Sequence, residues 1–70
     1  MKRLLIVEDE AKDLRIASNV AHSLGITEVD ARGTSSAARA YLEKALDGSG
    51  PLPDGIVLDL NLVTRMRIEF

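Results

Sequence analysis

Leu4-Leu5-Ile6-Val7-Glu8-Asp9-Glu10 and Gly55-Ile56-Val57-Leu58-Asp59-Leu60 are matched stretches, each an apolar run of strand length that ends abruptly in carboxylates. Four successive aliphatic residues at 4–7, rather than an alternating set, form the pattern of a strand covered on both faces. Their continuity predicts a strand over 3–8, and the second run predicts another buried strand over 56–58. If both are parallel strands of one sheet, their C-terminal ends share an edge. In open α/β sheets that edge is where ligands and chemistry sit. Glu8, Asp9 and Asp59 would then line one small acidic pocket.

Between these runs the chain reads as two helices and one more strand. From Ala11 to Leu24, the residues Leu14, Ala17, Val20, Ala21 and Leu24 recur at helical spacing, widened by Ile16, with Lys12, Arg15, Asn19 and His22 turned away. Gly25 is placed to end that helix as a left-handed residue. Ile26, Thr27 and Val29 predict a modest strand over 26–31, broken by Arg32-Gly33. Thr34, Ser35 and Ser36 offer hydroxyl caps for a second helix whose apolar stripe is Ala38, Tyr41, Leu42 and Ala45. Asp47-Gly48-Ser49-Gly50-Pro51-Leu52-Pro53-Asp54-Gly55 is dense in turn formers and reads as a loop. The order is therefore β-α-β-α-β, with crossovers expected to be right-handed. Residues 63–70 stay ambiguous. Thr64, Met66, Ile68 and Phe70 alternate as in a strand, while Val63, Met66 and Phe70 also fit one helical face.

Seventy residues make one domain at most, and a chain of this size buries only roughly 60% of its unfolded surface. With only Tyr41 and Phe70 aromatic, the core falls to Leu, Ile, Val and Ala. A net charge of −2 gives no reason to expect a nucleic-acid partner or a polybasic membrane contact. Without cysteine, neither disulfides nor a thiolate zinc site can supplement the core. No apolar run is long enough for a signal peptide or a membrane span, which sets cytoplasmic residence as the default expectation.

Carboxylates brought within a few ångströms of one another raise each other's pKa unless a cation neutralises them. A hard divalent ion held by one or two carboxylates, a carbonyl and several waters fits magnesium. Taken alone, Glu8, Asp9 and Glu10 read more readily as solvated residues after a strand, with Asp9 or Glu10 favouring the start of the following helix through its dipole. Asp59 is different. It follows Ile56-Val57-Leu58 directly and precedes more apolar residues, and a charge buried there is costly without a partner. His22 reads as a surface residue, and Ser35 and Ser36 as caps, since no His–acid pair accompanies them. Gly48-Ser49-Gly50 precedes a strand and has no Walker lysine, so it is not a phosphate loop.

Leu5-Ile6-Val7-Glu8-Asp9-Glu10 together with Asp54 to Leu62 resembles the receiver domain of two-component response regulators. Ala31 to Leu42 is similar to that family's second-strand exit and second helix, and Ile68-Glu69-Phe70 falls where its third helix begins. The resemblance implies an α/β, flavodoxin-like three-layer sandwich with parallel strand order 2-1-3. It implies that Asp59 accepts a phosphoryl group from a sensor histidine kinase. It also implies that Asp9 ligates Mg2+ directly, Glu8 through water, and Asn61 through its main-chain carbonyl, with Asp59 completing the site. The chain would be a phosphoprotein module rather than an enzyme with a diffusible substrate. Phosphoryl transfer needs positioning and charge neutralisation more than covalent help, which suits such a site.

The sequence departs from that family after the third strand. The later strands that carry its hydroxyl and lysine have no counterpart, Lys44 being on the second helix, and the proline and glycine that follow its phosphoacceptor are replaced by Val63 and Arg67. Read as a truncated receiver, residues 1–70 are expected to bind magnesium weakly and to be phosphorylated inefficiently. They are also expected to form a homo-oligomer through the third-strand edge or the tail. The rival reading is a non-phosphorylated interaction module in which the carboxylates are idle.

Overall fold

The computed structural model describes residues 1–58, which form β1 (Arg3–Val7), α1 (Ala11–Ser23), β2 (Glu28–Arg32), α2 (Ser35–Asp47) and β3 (Gly55–Leu58). All strand pairs are parallel and the sheet order is β2-β1-β3. β1 is central, with Val7 opposite Arg32 on one side and Leu58 on the other. The described residues thus form an α/β fold with a three-stranded parallel sheet; the β-α-β-α-β order agrees with the sequence pattern, and the strand order 2-1-3 with what the receiver resemblance implies.

The continuous aliphatic run of β1 is explained by its neighbours above and below. Leu5 and Val7 pack with Ala38, Tyr41 and Leu42 of α2, whereas Leu4 and Ile6 pack with Ala21, Leu14 and Ala17 of α1 and with Ile26 and Val29. Successive strand side chains point to opposite faces, so the two helices cover opposite faces of the sheet. Leu5, Ile6 and Val7 are the largest fully buried side chains among the described residues.

α1 ends with the Leu24 amide on the carbonyls of Val20 and Ala21, and Gly25 follows at φ +88°, a left-handed conformation that suits glycine. Its apolar stripe is only partly covered. Ala21 is buried, but Ile16, Val20 and Leu24 are exposed, because the single layer of β1 and β2 meets a narrow strip of the helix.

Several boundaries differ from the sequence reading. β2 starts two residues later than expected and retains Arg32, whose carbonyl accepts from the Glu8 amide at 3.0 Å; the break comes at Gly33. Ile26 precedes the strand and serves the α1-side core instead. Of the three candidate caps, Thr34 is the one used, its hydroxyl accepting from the Ala37 amide at 3.1 Å. α2 ends at Gly48, φ +84°, and the amides of Ser49 and Gly50 return to the Lys44 carbonyl. Asp54 pins the start of β3 to β1: its Oδ2 accepts from the amides of Lys2 and Arg3 at 2.9 and 2.8 Å. β3 is not a fully buried strand. Ile56, Val57 and Leu58 remain 46%, 44% and 52% exposed, since among the described residues β3 is an outer strand and the helices lie over β1 and β2.

Candidate functional site

The C-terminal edge of the sheet begins where β1 stops. Glu8 is partly buried and Asp9 exposed. The Glu8 amide, bonded to Arg32, extends the β1–β2 pairing one residue past the strand, and Glu8 Oε1 accepts from the Glu10 amide at 3.1 Å. That bond folds the carboxylate back over the turn into α1. Glu10 itself caps α1 in an extended conformation without a side-chain cap bond. Val7 and Leu58 are paired in register at this edge.

Of the expected site, Glu8 and Asp9 fall within the described residues and Asp59 and Asn61 outside them, as does the tail 63–70. Among the described residues, no group of three or more His, Cys, Asp and Glu side chains is placed to hold a metal. Glu8 and Asp9 are hard oxygen donors on adjacent residues, one of them solvent-facing. That donor chemistry fits a magnesium ion that keeps several waters.

A second polar constellation, which sequence reasoning missed, lies on the α2 face of the sheet. Tyr41 is not a bystander to an aliphatic core. It is only 6% exposed, packs with Leu5, Val7 and Ala38, and donates its hydroxyl to Asp30 Oδ2 at 2.6 Å. Arg3 Nη1 donates to the same oxygen at 2.7 Å, while Arg3 Nη2 lies 4.0 Å from Glu28. The Arg32 guanidinium stands 5.0 Å over the Tyr41 ring and its Nη1 donates to the Ala31 carbonyl at 2.7 Å.

The electrostatics follow from these contacts. The Tyr41 hydroxyl, followed by Arg3, holds the Asp30 carboxyl below its ordinary range against the opposing effect of burial. Burial first, then the Asp30 carboxylate, pushes the Tyr41 phenol up. The hydrogen bond to Asp30 also raises the Arg3 guanidinium. A signal was present in the sequence: Glu28, Asp30 and Arg32 alternate with Val29 and Ala31 at strand spacing, and Tyr41 is the one polar-tipped residue in the α2 stripe.

His22 is exposed on α1, as its place on the polar side implies. No helix among the described residues is long and apolar enough to cross a membrane. Compared with protein-family models, curated proteins and solved structures, the chain finds no match.

Proposed function

We propose that this chain is a receiver-like phosphoacceptor module of two-component signalling, built on a flavodoxin-like sheet. In this reading Asp59 takes a phosphoryl group from a sensor histidine kinase, and Glu8, Asp9, Asp59 and the Asn61 carbonyl hold Mg2+. The observation that supports it is the pairing of β1 with β3, in which Val7 stands opposite Leu58. Positions directly after these two residues follow adjacent parallel strands, and a strand's C-terminal edge is where such folds place their chemistry. Magnesium, when bound, would neutralise the charge that accumulates between the carboxylates and an incoming phosphoryl group.

Intact-mass measurement after incubation with acetyl phosphate and magnesium tests the reading. One phosphoryl adduct is expected in low yield, absent without magnesium and absent in Asp59→Asn. An unmodified mass, or an adduct that survives Asp59→Asn, would refute it.

A second reading, an interaction module that self-associates without phosphorylation, draws on the exposure of Ile56, Val57 and Leu58. An uncharged aliphatic strand at a sheet edge is a template for pairing with another chain.

A further inference from the structure

We propose that the cleft between α2 and β2 binds a small phosphate monoester that carries hydroxyl groups. This cleft of 470 Å3 is lined by Asp30 and Arg32 from β2, by Ala37, Ala40, Tyr41 and Lys44 from α2, and is closed by the loop at 49–51. Its size is that of small-molecule sites, which run from about 300 to 1,000 Å3. It shares no residue with the carboxylate edge at Glu8 and Asp9.

The cations point to the ligand. Arg32 is partly buried and held in place from two sides, by the Ala31 carbonyl and by the Tyr41 ring, yet it makes no ion pair among the described residues. Lys44, on the helical wall, makes none either. Asp47, the acid that senses Lys44, is occupied by the Ser49 amide and hydroxyl at 2.8 and 2.6 Å. A guanidinium fixed by packing matches phosphate oxygens with its fork of donors, and a lysine adds a point charge. The acids these cations sense, Asp30 for Arg32 and Asp47 for Lys44, are hydrogen-bonded by Arg3 and Tyr41 and by Ser49, so among the described residues both cations keep donors for a phosphate monoester, which carries about −1.5 to −2 at neutral pH.

Asp30 supplies the second half of the recognition. Among the described residues its hydrogen bonds fall on Oδ2, and Oδ1 is the oxygen assigned to a ligand hydroxyl. Ala37 and Ala40 keep the helical wall low enough for the body of the ligand to lie against it.

NMR titration of the full 70-residue chain tests this, in an Asp59→Asn background and without magnesium, so that its outcome is separate from that of the phosphoacceptor reading. The probes are glucose 6-phosphate, glucose and inorganic phosphate at millimolar concentration. Glucose 6-phosphate should shift the amides of Ala37, Ala40, Lys44 and Gly50 to saturation; inorganic phosphate should do so more weakly and glucose not at all. Lys44→Gln, at an exposed position, should weaken binding about threefold. Arg32→Gln should weaken it about tenfold. Absence of shifts at these amides with glucose 6-phosphate, or undiminished affinity in Lys44→Gln, would overturn the site. Equal affinity for inorganic phosphate would overturn the hydroxyl contact.

Discussion

Asp30 receives Arg3 and Tyr41 on a single oxygen, and this shared acceptor ties β1, β2 and α2 together through one side chain. Tyr41→Phe keeps the ring under Arg32 but removes the hydroxyl, and should cost about 1 kcal/mol in urea unfolding, the usual net worth of such a bond. The Asp30 carboxyl has its pKa lowered in the fold, so the unfolded chain binds its proton more readily. Its contribution is therefore complete above the unfolded value of about 3.9 and is lost as pH falls through the folded value. Asp30→Asn should be less stable than the parent near neutrality, with the two unfolding curves converging as the pH drops below about 4. Asp47 and Asp54 are shifted the same way, by Ser49 and by the amides of Arg3 and Lys2 respectively, and add to the acid sensitivity.

At the scale of elements, the two helices begin differently. Thr34 caps α2 with its hydroxyl, whereas Glu10 precedes α1 with no side-chain cap bond. Thr34→Ala should thus destabilise by about 1 kcal/mol, measured by chemical denaturation. The far end of α2 depends on backbone freedom. Gly48 sits at φ +84° with open space around a prospective Cβ, so Gly48→Ala meets conformational strain without a clash, and a loss of about 1 kcal/mol is expected. Asp54 works between elements, since its carboxylate holds the first amides of β1 and its own amide bonds the Arg3 carbonyl. Asp54→Ala should accelerate hydrogen exchange at Lys2 and Arg3 more than at Leu5 or Ile6. Uniform protection across all four amides would show that this clasp is dispensable.

For the whole molecule, stability concentrates in β1, because Leu5, Ile6 and Val7 join the cores beneath both helices. Leu5→Ala should cost about 2–5 kcal/mol, enough to threaten a domain this small, and loss of cooperative thermal melting is the expected readout. At the other extreme, β3 presents three half-exposed aliphatic side chains at the sheet edge. In the self-association reading, the melting temperature should rise with protein concentration. Val57→Lys should abolish that dependence in parallel with a smaller sedimentation coefficient; a concentration-independent melt in the parent would count against association.

The sequence by itself determined the element order, the strand character of β1 and the helical stripes, while the central place of β1 in a parallel sheet was only implied by the resemblance to receiver domains and was decided by the tertiary structure. A four-residue aliphatic run needs cover on both faces, and Gly25, Thr34 and the 47–55 loop punctuate the chain through local backbone preferences. It also marked Glu8 and Asp9 as the carboxylates that end β1, because strand termination is a local property. Only the tertiary structure decided which partners meet across the sheet. The register that sets Arg3 opposite Glu28 and Leu5 opposite Asp30 brings Arg3, Asp30 and Tyr41 onto one face. Those contacts span up to 38 residues between Arg3 and Tyr41, a distance over which periodicity carries no information. The exposure of Val20 and Leu24 was likewise decided there, since an apolar stripe states what a face prefers, and only packing determines whether anything covers it.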